Sequence, residues 1–351
     1  MHVMSRSLRA IGVFGAAIAL TVGCSAAPEP TPTPSATDQA PDPSAELIAA
    51  AKAEGTLTFY TTATAGPAQI QADAFTAKYG IPTNMVRLTG GQMDSRFQAE
   101  INSAGGTEAD IIFTTNPVLI KGAVASGALV ALDDADLPGF PGDFPERFLL
   151  PEVGSAVTLV QTVGIAYNTD LVKGDDIPDE WSDLLDPKWK GKIGVATPTS
   201  ALGYVGEWVV LGDQEGDDFL EKVGKQQLKV YSAGSTVTAA LGAGEISLAA
   251  TVLVSNTMPD KKKGAPVDIF VPDNSTGIEL SVGIVAKAKH PNAARLFALY
   301  SMSEEGAKIL ADETDSVSPY DTAGLPKDYE AADIEGAPAR LADIQRLLQV
   351  K

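Results

Sequence analysis

Cysteine is nearly absent: Cys24 is the only one in 351 residues. No disulfide can form within the chain, so whatever folds must stand on its buried core alone. Histidine is almost as scarce, with only His2 and His290. That leaves no set of residues for a histidine metal cluster or a Ser-His-Asp triad. Neither a GxSxG nor an SxxK nucleophile motif occurs. Acids are abundant enough that a pair of carboxylates arises by chance, so no enzyme, metal or cofactor is expected. Positive charge is also short: 26 Lys and Arg stand against 45 Asp and Glu, a net charge of −19. This excludes nucleic acid and anionic lipid surfaces as partners, although a net charge says nothing about the sign of a small ligand. No repeat with a period of roughly 20–50 residues is present. What remains, 44% hydrophobic and 20% charged, is globular in composition.

The N-terminus sets the compartment. Arg6 and Arg9 precede an uncharged apolar stretch, Ile11 to Val22, that is too short to span a bilayer and reads as the apolar region of a signal peptide. It ends in Leu20-Thr21-Val22-Gly23-Cys24, which resembles a lipobox, with Thr21 where leucine is usual. Lipidation of Cys24 would also remove a lone exported thiol, a reactive liability. Residues 1–23 are thus expected to be a lipoprotein signal peptide and residues 24–44 a Pro-rich tether. Ala26 to Ser44 is dominated by Pro, Thr, Ser, Ala and Asp and cannot bury a core. In polyproline II such a tether reaches on the order of 50 Å, at about 3.1 Å per residue. The expected location is extracytoplasmic, anchored by lipid to the cell membrane.

Beyond the tether, strand and helix patterns alternate. Ser44 caps a helix to about Glu54, stopped by Gly55. Thr56–Thr62 is β-rich. A helix follows from Pro67 to Gly80, with Ile70, Ala74, Phe75 and Ala77 on its apolar face. Strands are expected at Asn84–Leu88 and Ala109–Thr114, with a helix between them carrying Met93, Phe97 and Ile101 on one side. The second half repeats the style at Leu159–Tyr167, Lys192–Ala196, Leu228–Ser232, Ile246–Val254 and Val267–Val271, followed by helices at Pro291–Leu299 and Glu304–Ala311. The fold class is α/β, with mostly parallel sheet covered on both faces. Such sheets bind ligands at the carboxyl ends of their strands. There the sequence places small uncharged residues: Thr61, Thr62, Thr64, Thr89, Gly90, Gly91, Thr114, Thr115 and Asn116 in the first half. Thr199, Ser200, Gly234, Ser235 and Thr236 follow in the second.

Several segments together resemble the extracellular solute-binding proteins of type II topology, near the group with ferric-iron-, thiamine- and phosphonate-binding members. They are AAAKAEGTLTFYTT, LTGGQMDSRFQAEINSAGGTEADIIFTT, VGIAYNTDLVKGDDIPDEWSDLLDPKWKGKIGVATPTSALGY and GAPVDIFVPDNSTGIELSVGIVAKAKHPNAARLFALYSMSEEGAKIL. The most specific stretch is Tyr167-Asn168-Thr169 followed by Pro178, Trp181, Leu184 and Lys190-Gly191-Lys192. The resemblance implies a two-lobed, periplasmic-binding-protein-like fold with a two-strand hinge and an interlobe cleft that closes on a ligand. Its segments would be 45–150 (lobe 1, first part), 151–270 (lobe 2), 271–312 (lobe 1, return) and 313–351 (a C-terminal helical tail). It further implies the capture subunit of an ABC importer, a monomer that meets a small solute and the permease subunits. An exported hydrolase or a structural lipoprotein is the alternative from another class.

Within the family, ferric iron is the sharp alternative ligand. Iron-binding members resemble one another in a histidine, a glutamate and adjacent tyrosines. The corresponding places here read Thr61-Thr62-Ala63, Thr89-Gly90-Gly91 and Leu253-Val254-Ser255-Asn256, and no tyrosine pair exists in the chain. In their place stand hydroxyls, amides and helix N-termini, which suit a small oxyanion such as a phosphonate, phosphate ester or carboxylate, or a polyol. The expected contact set is completed by Thr162 and Asn256. Arg96 is either an anion contact or the partner of a surface acid. Trp208 is a candidate stacking platform, and Lys261-Lys262-Lys263 is expected to be a solvated loop.

Overall fold

The structure is a computed structural model that describes residues 43–351. Cys24, the expected signal peptide and most of the expected tether lie outside the described residues.

Local chemistry sets most helix ends. Helix α1 (Ala45–Glu54) starts where the Ser44 hydroxyl accepts the Leu47 N–H at 3.2 Å and stops at Gly55, whose φ of 85° favours glycine. Strand β1 (Leu57–Thr61) leads to α2 (Ala65–Tyr79), with Pro67 in its first turn. Strand β2 (Thr83–Arg87) leads to α3 (Gly90–Ile101), and β3 (Ile111–Thr114) to α4 (Pro117–Ala125). After the short strands β4 (Leu129–Val130) and β5 (Leu149–Leu150) comes the long strand β6 (Ser155–Asn168). Then follow β7 (Ile193–Ala196), α5 (Leu202–Glu215), α6 (Asp217–Gly224), β8 (Lys229–Tyr231), α7 (Gly234–Gly242) and β9 (Leu248–Leu253). The chain continues through α8 (Val254–Lys262), β10 (Val267–Phe270), β11 (Thr276–Val285), α9 (Pro291–Met302) and α10 (Glu304–Thr314). It closes with β12 (Glu330–Ala331) and α11 (Ala337–Leu348).

The strand order is β2-β1-β3-β11-β6-β9-β7-β8. β1 runs parallel to β2 and β3, and β7 runs parallel to β8 and β9, so each half is a parallel layer with helices returning the chain. The antiparallel pair β11 and β6 joins the halves. Residues 157–162 of β6 pair with β11, while residues 163–168 pair with β9 and β10. The register slips between Leu280 and Ser281 on β11 and between Gly164 and Ala166 on β6, on either side of this change of partner. Gly164 is needed there, because a Cβ would lie 2.3 Å from the Phe270 carbonyl oxygen.

Each half has its own apolar core. Phe59, Phe75, Phe113, Val157, Leu280 and Phe297 belong to one. Val163, Trp181, Ile193, Trp208, Leu248 and Leu347 belong to the other. Two compact hydrophobic units joined by crossing strands are the two-lobed α/β arrangement expected from the sequence. Helix α11 adds Ile344, Leu347 and Leu348 to the second core.

Three local expectations are corrected. The buried face of α2 is Ala68, Gln71, Ala72, Phe75 and Tyr79, whereas Ile70 is 44% exposed and Ala77 is also outside. The Gln71 amide donates to the Gly306 carbonyl at 2.7 Å, so a polar residue occupies the inner face. Lys261 and Lys262 end helix α8 instead of lying in a loop, and they pair with Asp268 and Asp315, each at 2.7 Å. Trp208 is fully buried in the second core and offers no stacking face.

Candidate functional site

Because β1, β2 and β3 are parallel, their carboxyl ends share one edge of the first lobe. Thr61 closes β1; it is 1% exposed and its hydroxyl accepts the Ala63 N–H at 3.1 Å. Thr62 follows, its N–H bonded to the Phe113 carbonyl of β3 at 3.0 Å and its own Oγ1 buried without a partner. Thr89 is the N-cap of α3 in a reciprocal box: its hydroxyl accepts the Gln92 N–H and the Gln92 side chain accepts the Thr89 N–H. Gly90 and Gly91 are the first residues of that helix and are at least partly exposed. Thr115 ends the β3 edge. Asn116 caps α4, accepting the N–H groups of Val118 and Leu119 at 3.1 and 3.2 Å. Its amide nitrogen donates to Asp94 Oδ2 at 2.9 Å.

The second lobe presents an analogous edge at β7, β8 and β9. Beyond β7, the Thr197 and Thr199 hydroxyls are 3.0 Å apart and Ser200 Oγ donates to the Thr197 carbonyl at 2.9 Å. Beyond β8, α7 opens at Gly234 with Ala233 as N-cap, and the Thr236 hydroxyl accepts the Ala233 N–H at 3.1 Å. The Gly234 N–H donates to the Tyr204 hydroxyl at 2.9 Å. Gly234 is closely packed, since a Cβ would lie 2.5 Å from Asn256 Nδ2. Ser235 therefore stands exposed in the first turn without serving as the cap. Burial pushes the Tyr204 hydroxyl pKa up, so it stays protonated. Asn256 lies in the first turn of α8, and its neighbour Ser255 accepts a hydrogen bond from Gln161 Nε2 at 2.8 Å. That bond ties β6 to α8 beside Thr162, which is 3% exposed and pairs with Gly277 where the strands cross.

The sequence-expected residues therefore fall at three places: the lobe 1 edge, the lobe 2 edge and the strand crossing. Asp94, Tyr204 and Gln161 were not singled out by sequence. Each acts through a partner 22 to 94 residues away, so no local pattern announces it. Arg96 is engaged elsewhere, with Nε on Glu100 at 2.6 Å and Nη2 on the Tyr60 hydroxyl at 2.8 Å. A depression of about 390 Å³ lined by Asn102, Ser103, Thr107, Ser126, Lys287 and Lys289 lies by the far ends of α3 and α4. It therefore lies at the opposite ends of these helices from the strand-end residues. His290 likewise bonds Asp110, at the start of β3, at 2.9 Å, away from those ends.

Two parallel layers joined by crossing antiparallel strands give the two-lobed fold of type II topology. The chain belongs to the bacterial extracellular solute-binding protein family, whose sequence pattern matches residues 107–349. It is similar to an uncharacterized protein of Haemophilus influenzae, 28% identical over 76% of this chain and 78% of that protein. A Salmonella typhimurium periplasmic protein provisionally named for 2-aminoethylphosphonate binding is 27% identical over 75% of this chain and 77% of its own length. Among solved structures, the substrate-binding protein of an Agrobacterium tumefaciens ABC transporter superposes with a TM-score of 0.71 at 15% identity, covering 84% of this chain and 95% of that one. Among the described residues no helix is long and apolar enough to cross a membrane.

Proposed function

We propose that the protein captures a small oxyanion between its lobes, a phosphonate or phosphate ester before a carboxylate or polyol, and hands it to an ABC permease. The observation that carries this reading is the first turn of α7. There Ser235 offers an exposed hydroxyl that caps nothing, on a helix N-terminus whose partial positive charge favours an anion. Thr62, Thr89, Gly90, Gly91 and Thr115 supply the facing edge from lobe 1; Thr199, Ser200, Gly234, Thr236 and Asn256 frame the lobe 2 edge. Thr61, Asn116 and Thr162 are occupied with local structure and act by holding those edges in place. A relative named for a phosphonate supports the same ligand class. Ferric iron gains nothing from the geometry, because the Tyr60 hydroxyl is held by Arg96 and Glu100 and the Tyr204 hydroxyl by Gly234.

Calorimetric titration with 2-aminoethylphosphonate tests the grip. Ser235→Ala removes one hydrogen bond to a charged ligand, worth about 1.5–3 kcal/mol, or roughly 10- to 100-fold in affinity. Because Ser235 is not the cap, thermal stability should not move, whereas Thr89→Ala should lower stability by about 1 kcal/mol. Unchanged affinity in Ser235→Ala sinks the proposed contact.

The membrane anchor is part of the same proposal, with Cys24 carrying the lipid and residues 24–44 acting as the tether. Mass spectrometry of membrane-extracted protein should find a diacylglyceryl adduct on Cys24; a mature protein starting elsewhere contradicts it.

A further inference from the structure

We propose that Asp94 forms a cation subsite in lobe 1, so that the captured solute is a zwitterion carrying a protonated amine a few atoms from its oxyanion. This rests on the oxyanion reading above and adds the other end of the ligand. Asp94 sits in the second turn of α3, half-buried beside the carboxyl end of β3. Asn116 fixes its orientation. With the Asn116 carbonyl oxygen committed to the α4 N–H groups, the amide nitrogen can only turn to Asp94 Oδ2. Asp94 Oδ1 is left shielded from water with no hydrogen-bond partner.

A second oxygen at the lobe 1 strand ends is also unsatisfied. Thr62 Oγ1 is buried without a partner, and the Thr62 N–H is bonded to Phe113, two residues before Thr115. A buried oxygen without a donor is costly, and a carboxylate more so than a hydroxyl. The basic side chains of the surrounding elements are committed elsewhere: Arg87 to the Ala63 carbonyl, Arg96 to Glu100 and Tyr60, and Lys121 to Glu335. Burial accordingly pushes the Asp94 carboxyl pKa up, eased only by Asn116. A primary ammonium brings three donors and the missing positive charge. With Oδ2 held by Asn116, Oδ1 is the oxygen left to accept from the ammonium.

The experiment titrates the full chain calorimetrically with 2-aminoethylphosphonate, ethylphosphonate and inorganic phosphate, in wild type and in Asp94→Asn. Wild type should bind 2-aminoethylphosphonate at least tenfold more tightly than ethylphosphonate. Asp94→Asn should erase that preference and leave ethylphosphonate unchanged. Equal affinity of the two phosphonates for wild type overturns the subsite while leaving the oxyanion grip standing, and this comparison needs no variant. Equal weakening of both phosphonates by Asp94→Asn also overturns it, since it marks a structural role. If none of the three probes binds, the oxyanion reading fails and the amine subsite falls with it.

Discussion

Phe297→Ala should destabilise the folded chain by about 3–5 kcal/mol, the usual cost of removing a large buried aromatic. Phe297 on α9 is fully buried. Its ring lies 5.1 Å from that of Phe59 on β1, 4.9 Å from Phe75 on α2 and 5.6 Å from Phe113 on β3. One side chain therefore joins two strands and two helices of the first lobe, and edge-on geometries add to the area it buries. The neighbouring rings are anchored on separate elements and cannot all collapse into the space. With no disulfide within the chain, nothing covalent compensates. Denaturant unfolding reads the loss as a lower midpoint at unchanged slope. A shift under about 1 kcal/mol would mean that the cluster is loosely packed.

Glu207→Gln should stabilise the protein increasingly as pH rises. Glu207 lies on α5, fully buried, and neither carboxylate oxygen has a hydrogen-bond partner. Desolvation pushes its pKa well above the ordinary glutamate value. The native state thus keeps a proton that the unfolded chain releases above about pH 4.3. Folding binds that proton, so wild-type stability falls as pH rises from there to the native pKa and is level beyond it. Within that window the loss is about tenfold in the folding equilibrium constant per pH unit. Glutamine has the same shape and no titration, so the gap between variant and wild type should widen from pH 5 to pH 7.5. Other titrating groups cancel in this difference. A gap independent of pH would show that Glu207 is ionised in the folded protein.

What the sequence makes legible is what is decided within a few residues. Ser44, Thr89 and Asn116 cap their helices because their side chains reach N–H groups two or three positions on, and Gly55 and Gly80 end helices through positive φ. The strands β1, β2 and β3 are equally local, so their carboxyl ends could be placed before any coordinates. Three kinds of feature stayed hidden. Strand β11 has the mixed run Thr276–Val285, and what makes it a strand is pairing with β3 and β6 from distant parts of the chain. Helix α8 contains Pro259, ordinarily a breaker, in a short helix held against β10 and β6. The inward face of α2 is built on alanines and a glutamine that no hydrophobic period singles out. At the site, Tyr204 and Asp94 matter through bonds to Gly234 and Asn116 that only the folded chain creates.

The central claim is that a solute bridges the two lobes, and a bridging ligand must shift the open and closed populations through contacts made only when closed. Small-angle X-ray scattering of the chain with and without saturating 2-aminoethylphosphonate measures this directly. The account predicts a smaller radius of gyration with ligand and no such change in a non-binding control such as sodium chloride. Tight binding by calorimetry with an unchanged scattering profile would contradict capture between the lobes.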